Sequence, residues 1–373
     1  MRVVLVGGGT GGHFYPLIAI AEALRDRDTA LNQQTELYYL GPNEYNRDSL
    51  ARLNIKYKYV PAGKQRNYRS FLNFIDKFAV FFGIFVAIKR LYALYPDVVM
   101  SKGGFTSVPV VIAAWILKIP IVIHESDATP GRANRFAARF ARYIGISYDD
   151  AAAHFPAEKI ALTGIPIRKF FSVQQPNPHA YLRLPTDKHV LFVTGGSLGA
   201  ERINNLILDS LDELLPNYTI VHQVGDTHEE TVSKNAGSLI KDLSLLEHYF
   251  VFGHMTGEQI AAAEQAASLI ISRAGSTSIA EIALAGKPSI LIPIPEDISH
   301  DQRTNAYAYA RTGAATVIEE KNLVDALLVP EVNRILGSKK VYDAMAAATK
   351  TFTRPGAAYT LADTLLGIGN EHR

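Results

Sequence analysis

A glycine-rich stretch close to the N-terminus, Gly7-Gly8-Gly9-Thr10-Gly11-Gly12-His13, follows an apolar run and ends in a histidine. Backbone N–H groups in such a loop can face an anion at the start of a helix, and the missing side chains let a phosphate approach closely. The spacing Gly7-x-Gly9-x-x-Gly12 matches the dinucleotide fingerprint. A nicotinamide enzyme, however, needs an acid at the end of the second strand to hold a ribose. Here that strand, Glu36 to Leu40, runs into Gly41-Pro42-Asn43, so the loop reads as a phosphate cradle rather than a dinucleotide site. His13 falls at the junction of loop and helix. A helix N-terminus disfavours the imidazolium and keeps the ring a competent base near neutral pH; a helix-capping histidine is the alternative.

A second cluster of polar groups lies far along the chain. It comprises Arg273-Ala274-Gly275-Ser276, Glu281, Gly286-Lys287-Pro288 and Gln302-Arg303-Thr304-Asn305. Glu281 stands among Ile279, Ala280, Ile282, Ala283 and Leu284, and a carboxylate there can accept both hydroxyls of a ribose diol. The alternative is an acid in the first helical turn that answers the helix dipole.

The elements that position these groups alternate strand and helix. Arg2 to Val6, the glycine loop, a helix through Leu17 to Leu24 and the strand Glu36 to Leu40 form a βαβ unit, the sign of a parallel sheet. The same opening recurs at His189 to Val193, followed by Thr194-Gly195-Gly196-Ser197-Leu198-Gly199-Ala200 and a helix through Ile203, Leu206, Ile207 and Leu211. A further echo relates residues 97–107 to residues 268–278, each an apolar strand, a basic residue, a glycine turn and a helix start. Duplication explains both echoes, although βαβ units share this pattern by necessity. Prolines at 166, 176, 178 and 185 mark a linker over Gly164 to Pro185, and Pro355-Gly356 precedes a last apolar-periodic segment, Tyr359 to Ile368, that could return to the first domain. The expected division is 1–165 with the tail from about 356, and 166–355.

Composition narrows the class. The 373 residues are 48% hydrophobic and 20% charged, which excludes global disorder. Without cysteine there is no disulfide frame, Cys-ligated metal or thiol nucleophile. The apolar run Val3 to Val6 is too short for a signal peptide, so a cytoplasmic protein is expected. Residues 1–165 hold 20 Lys and Arg against 13 Asp and Glu, whereas residues 166–373 hold 18 against 23. A basic first half suits an anionic partner such as phosphate or a membrane surface. In it, Phe71 to Leu94 carries Phe71, Phe74, Phe78, Phe81, Phe82 and Phe85 between Lys64, Arg66, Arg69, Lys77, Lys89 and Arg90. The uninterrupted apolar part, Phe78 to Ile88, is too short to span a bilayer. It reads either as a membrane-surface helix with a basic rim or as a core helix of the first domain.

Taken in order, Gly9-Thr10-Gly11-Gly12-His13, Gly103-Gly104-Phe105, His124-Glu125-Ser126-Asp127 with Pro130-Gly131-x-x-Asn134, Thr163-Gly164-Ile165-Pro166-Ile167-Arg168, Gly195 to Ala200, Arg273-Ala274-Gly275 with Glu281, and Gln302-x-x-Asn305-Ala306 resemble the MurG family. The resemblance runs from Val3 to about Ala315. That family transfers GlcNAc from UDP-GlcNAc to undecaprenyl-pyrophosphoryl-MurNAc-pentapeptide in peptidoglycan synthesis. It implies an α/β GT-B fold, two Rossmann-like parallel-sheet domains facing across a cleft, with the acceptor on the first and UDP-GlcNAc mainly on the second. By position, His13 resembles the catalytic base. Gly9, Lys102, Gly103, Gly104, Phe105 and Thr106 resemble the acceptor-pyrophosphate cradle. The implied donor-binding residues are Thr10, Gly11, Gly12, Asp127, Arg168, Gly196, Ser197, Met255, Arg273, Gly275, Ser276, Glu281, Gln302 and Asn305. Among them Met255 would offer its backbone to uracil and Glu281 its carboxylate to ribose.

The sequence departs from the family pattern at Phe105, Asp127, Ile165 and Leu198, where Tyr, Asn, Asn and Gln are usual. The first and last remove a hydrogen-bonding group, and Asp127 adds a charge. The implied reaction is inverting transfer of GlcNAc to a polyprenyl-pyrophosphate-linked MurNAc, lipid I to lipid II, by a peripheral enzyme on the cytoplasmic face of the membrane. No metal-binding Asp-x-Asp lies among the motifs, and neither a metal, a cofactor nor a nucleic-acid partner is expected. A UDP-GlcNAc epimerase of the same fold and a non-catalytic sugar-nucleotide scaffold are the alternatives.

Overall fold

The computed structural model describes residues 1–63, 72–196, 199–296 and 302–371, and the side chains of all of these except 72–77 and 325. Strands covered on both faces read as continuous apolar runs, and Val3 to Val6 are buried throughout β1 (Arg2–Val6). With β1 run β2 (Glu36–Gly41), β3 (Ile55–Tyr59), β4 (Val98–Ser101), β5 (Ile121–Glu125), β6 (Tyr143–Ile146) and β7 (Ile160–Leu162). They form one parallel sheet in the order β3-β2-β1-β4-β5-β6-β7. A second parallel sheet is built from β8 (His189–Thr194), β9 (Tyr218–Gln223), β10 (Tyr249–Phe252), β11 (Leu269–Ser272), β12 (Ser289–Leu291) and β13 (Ala315–Val317), in the order β10-β9-β8-β11-β12-β13. The echo seen in the sequence is an echo of pairing. Val6 lies opposite Ser101 at the ends of β1 and β4, as Thr194 lies opposite Ser272 at the ends of β8 and β11.

The chain divides into two compact units, Met1–Lys169 with Arg354–Arg373, and Phe170–Thr353. In the first, α1 (Gly11–Leu31), α2 (Arg47–Arg52), α3 (Leu72–Leu94), α4 (Val108–Ile116) and α5 (Arg132–Ala137) accompany the sheet. The C-terminal helix Ala357–Glu371 also belongs there. Its Leu361, Leu365 and Leu366 share a core with Leu17, Ile20 and Leu24 of α1, and its Tyr359 hydroxyl donates to Asp26 at 2.6 Å. The proline-marked stretch Gly164 to Pro185 is structured rather than a free linker. Lys169 pairs with Asp26 of α1 at 2.9 Å, and Pro178 opens the short helix Pro178–Leu182, capped by Asn177.

The core-helix reading holds for one face of α3, and the opposite face is exposed. Ala87 and Leu91 are fully buried in the first unit's core, while Phe78, Phe81, Phe82 and Phe85 are 56–61% exposed. A helix apolar all round has no single wet face, which is why its periodicity did not choose between the two. No helix among the described residues is long and apolar enough to cross a membrane. Lys64, Arg66, Arg69 and Phe71 lie outside the described residues, as do the side chains of Phe74 and Lys77.

Candidate active site

In open α/β sheets, ligands settle beyond the C-terminal ends of the strands where the strand order reverses. In the first unit that point is β1 beside β4. The loop after β1 carries Gly9 and Thr10 and leads through Gly11 and Gly12 into the first turn of α1. The loop after β4 carries Lys102 to Thr106 and leads into α4. The two loops touch backbone to backbone: Gly104 has φ +76°, and a Cβ there would come to 3.0 Å from the Gly8 carbonyl oxygen and 3.6 Å from the His13 ring. Only glycine serves both the conformation and the approach.

Thr10 is the N-cap of α1, yet its side chain makes no capping bond to the backbone. Its hydroxyl lies instead 2.8 Å from His13 Nδ1. The half-buried imidazole has its pKa lowered to about 4, by burial first and the Lys102 charge second, with Asp127 opposing. The ring is therefore neutral at physiological pH, and the cause is its surroundings more than the helix terminus. Lys102 is 1% exposed. Its Nζ donates to Ser126 Oγ at 2.8 Å, and burial pulls its pKa down against the pull of Glu125 and Asp127. The buried Thr106 hydroxyl has no hydrogen-bond partner among the described residues. Phe105 packs on Gly9, its ring 2.9 Å from where a Cβ would stand.

The neighbouring motifs brace this mouth. His124 is fully buried, with a pKa lowered to about 3 by burial, and its Nε2 meets the Gly164 carbonyl at 2.8 Å. That bond ties the Thr163 to Arg168 stretch, Ile165 included, to β5. Arg168 places its guanidinium 4.1 Å from the centre of the Tyr15 ring on α1, within the first unit.

In the second unit the corresponding point is β8 beside β11. Ser197 and Leu198 lie outside the described residues; around them the loop is held by its backbone. Gly196 N donates to Thr194 Oγ1 at 3.0 Å, Thr194 in turn donates to Gln223 Oε1 at 2.9 Å, and Gly199 N donates to the Gly196 carbonyl at 2.9 Å. Gly199 has φ +75°, and a Cβ there would strike the Val224 carbonyl oxygen. The loop opens the helix Glu201–Asp209, whose N-cap Ala200 supplies no side-chain bond.

Across the switch point, Gly275 is the N-cap of the helix Ser276–Ala285, with Ser276 buried in its first turn. That turn holds no acid, and Glu281 is the sixth residue of the helix, half-buried. The dipole alternative for Glu281 thereby falls. Gln302 uses Oε1 to accept from Ala274 N and Ile294 N, both at 3.2 Å, which leaves its amide N–H groups for other partners. Asn305, one turn on, is 1% exposed. Met255 buries its side chain in the core, so that only its main chain could meet a ligand. Arg273 directs its guanidinium to the Ile292 and Pro293 carbonyls and pairs with Glu320 at 2.5 Å, both side chains about a tenth exposed. Glu320 and Gln223 were not singled out in the sequence, because nothing local announces a partner 47 or 29 positions away. Among the described residues no three His, Asp or Glu side chains are grouped to hold a metal.

The glycosyltransferase family 28 N-terminal domain matches residues 3–146, and the glycosyltransferase family 28 C-terminal domain matches residues 190–361. A relative from Bacillus cereus is 36% identical over 91% of this chain and 93% of its own length. It is named a UDP-N-acetylglucosamine–N-acetylmuramyl-(pentapeptide) pyrophosphoryl-undecaprenol N-acetylglucosamine transferase. A relative of the same name from Treponema denticola is 37% identical over 85% of this chain and 83% of its own. Among solved structures, Acinetobacter baumannii MurG aligns with a TM-score of 0.74 at 24% identity, covering 98% of this chain and 99% of that one. A UDP-GlcNAc 2-epimerase from Neisseria meningitidis aligns with a TM-score of 0.71 at 16% identity, covering 98% and 100%. These two structures share the fold; at such identities they say nothing of the reaction.

Proposed function

The chain belongs to glycosyltransferase family 28, and from that premise we propose that it moves GlcNAc from UDP-GlcNAc to the MurNAc of a polyprenyl-pyrophosphate-linked precursor, converting lipid I to lipid II. The observation that carries this reading is His13. It is a neutral imidazole, oriented by Thr10 and set beside a buried lysine at the first unit's switch point. The first unit takes the acceptor. Lys102, the Gly104 N–H and the unpaired Thr106 hydroxyl offer donors to its diphosphate, while Gly103, whose N–H is taken by Ser101 Oγ at 3.2 Å, lets the phosphate come close. The second unit takes UDP-GlcNAc, with Glu281 on the ribose, the Met255 backbone on uracil, and Gln302 and Asn305 on the sugar.

The acceptor hydroxyl gives its proton to His13 as its oxygen attacks the anomeric carbon from the face opposite UDP. The new C–O bond forms while the bond to the diphosphate breaks, and inversion yields a β linkage. Bringing the acceptor's diphosphate anion near His13 offsets the Lys102 charge and raises the basicity of the ring when it is needed. The negative charge that develops on departing UDP meets the N-terminus of the helix Glu201–Asp209, which the Gly195 to Ala200 loop opens.

An acceptor whose lipid tail stays in a bilayer calls for a membrane contact. The exposed aromatic face of α3 supplies one on the first unit, at the cytoplasmic leaflet where the precursor's headgroup stands. Incubation with UDP-GlcNAc, with and without a polyprenyl-pyrophosphoryl-MurNAc-peptide, tests the reading. UDP release that requires the acceptor, with lipid II as product, is expected. Isomerised sugar nucleotide formed without acceptor, or no turnover at all, would replace the transferase with an epimerase or a scaffold.

A further inference from the structure

Glu125 is the last residue of β5 and is 3% exposed, yet it carries a carboxylate with no arginine or lysine in direct contact among the described residues. Its oxygens are bound by the chain that follows. Oε1 accepts from Asp127 N at 3.0 Å, and Oε2 accepts from Gly131 N at 3.1 Å and from Asn134 Nδ2 at 2.9 Å. The Asn134 amide also donates to the His124 carbonyl at 3.1 Å. Both ends of the loop 126–131 are thus pinned to one carboxylate, and Gly131 is at the same time the N-cap of α5. Ser126, between Glu125 and the clamped Asp127 N–H, receives Lys102 Nζ on its Oγ.

We propose that Glu125 is a positioning residue for the acceptor side: by clamping the loop 126–131 it fixes Ser126, and through Ser126 and its own negative charge it holds the Lys102 ammonium, charged and oriented, beside His13. This rests on the reading of Lys102 as an acceptor-diphosphate contact. A lysine taken out of water tends to lose its proton unless a countercharge stands near. Glu125 and Asp127 are the groups that raise the Lys102 pKa against burial. An ammonium has three N–H groups; Ser126 takes one, and the clamp sets where the others point.

Glu125 is also placed to respond to pH. Burial and then Asp127 push its pKa up to about 7, while Lys102, the Asp127 N–H and Asn134 act the other way. The other titratable groups nearby are His13 on α1, which feels Lys102 and Asp127, and His124 on β5, which feels Lys102; burial holds both neutral at this pH. Protonating Glu125 removes the countercharge, so acceptor binding should weaken as pH falls through about 7.

The test compares wild type with Glu125→Gln, Glu125→Asp and Ser126→Ala in steady-state transfer, and measures inorganic pyrophosphate binding by calorimetry on the same proteins. Glu125→Gln and Ser126→Ala should raise the acceptor KM by about 10- to 100-fold, as expected for loss of a hydrogen bond to a charged group, and weaken pyrophosphate in parallel. The donor KM should stay within about twofold, since no uniform loss of binding is involved. Glu125→Asp keeps the charge and should recover part of the loss, and the decline in acceptor kcat/KM near pH 7 should be missing in Glu125→Gln. A wild-type acceptor KM in a folded Ser126→Ala or Glu125→Gln protein, or equal losses for donor and acceptor, would overturn the proposal. Should wild type show no acceptor-dependent transfer while the variants still lose pyrophosphate affinity, the transferase reading fails and the clamp stands.

Discussion

The hydroxyl of Thr10 and Nδ1 of His13 lie 2.8 Å apart, and Thr10 forgoes the helix-capping bond its position invites. A ring that donates from Nδ1 carries its lone pair on Nε2, the nitrogen a general base then uses. His13→Ala should bind UDP-GlcNAc as wild type does and lose about 10²- to 10⁴-fold in kcat, the usual contribution of a general base. Thr10→Val should lose about tenfold, the worth of one hydrogen bond. Because the folded pKa is about 4, the loss of rate that comes from protonating His13 should appear only as pH drops through about 4, and is read in Glu125→Gln, where the decline near pH 7 is removed. Loss of donor affinity with unchanged turnover would remove His13 from the chemistry.

Glu281 is the sixth residue of its helix, beyond the first turn where an acid would answer the dipole, and a carboxylate there can accept from both hydroxyls of a ribose. Glu281→Gln keeps one acceptor oxygen and loses the charge. It should weaken UDP-GlcNAc by about 1–3 kcal/mol, the range for hydrogen bonds to charged groups, with the acceptor KM unmoved. Equilibrium titration of UDP-GlcNAc decides it, and an unchanged affinity in a folded protein would reduce Glu281 to a helix-surface acid.

Much of this was legible in the chain. The parallel α/β class follows from the apolar runs of β1 and β8, each ending in a glycine loop, and the echo between residues 97–107 and 268–278 marks the pairing positions of β4 and β11. Long-range polar partners were not legible. Lys102 and Ser126 are 24 positions apart, and Arg273 meets Glu320 from across the second sheet. Such pairs are set by which strands lie side by side, and no spacing rule reports that. The motif containing Glu125 was visible in the sequence, but its task was not, because three of the clamp's bonds end on backbone N–H groups or an amide whose direction only the folded loop defines.

Gly199 tests the second loop without touching any chemical group. At φ +75° an alanine costs about 1–2 kcal/mol, and its Cβ would meet the Val224 carbonyl, which is main chain and cannot swing away. Gly199→Ala should therefore reduce donor affinity and the thermal stability of the second unit together, read by UDP titration and calorimetry. A Tm equal to wild type would show that the loop has another accessible conformation.

His222 predicts how the second unit responds to acid. It is fully buried on β9, its Nδ1 lies 2.8 Å from the Tyr249 hydroxyl, and burial lowers its pKa to about 3. Below pH 6.5 the unfolded imidazole takes a proton that the folded one refuses until about pH 3, so stability falls as pH drops through that window. Glu125 in the first unit has the opposite sign: its pKa is raised, and the stability it contributes is present below the unfolded carboxylate value and lost as pH rises through about 7. His222→Asn keeps an acceptor for Tyr249 and removes the titration. Between pH 6.5 and pH 5 it should lose about 1–2 kcal/mol less than wild type; parallel stability curves by denaturant unfolding would contradict this.

The exposed face of α3 leads to the last expectation, that the enzyme binds vesicles through Phe78, Phe81, Phe82 and Phe85. These rings are each more than half exposed, whereas Ala87 and Leu91 on the other face are buried, so the outer face can change without emptying the core. Burying a phenylalanine contributes about 1.5–3 kcal/mol, and a lipid interface recovers part of that. The basic residues around the segment add about 1 kcal/mol each near an anionic surface, an amount that salt screens. Binding to anionic vesicles should therefore weaken with salt and level off rather than vanish. Phe81→Ser with Phe85→Ser should abolish the salt-resistant part and leave soluble-substrate turnover intact. Lys64, Arg66, Arg69 and Lys77 changed together to Ser should remove the salt-sensitive part. Co-sedimentation with neutral and anionic vesicles separates the two contributions. Equal binding to both kinds of vesicle by wild type, or no effect of the phenylalanine changes, would place the membrane contact elsewhere on the protein.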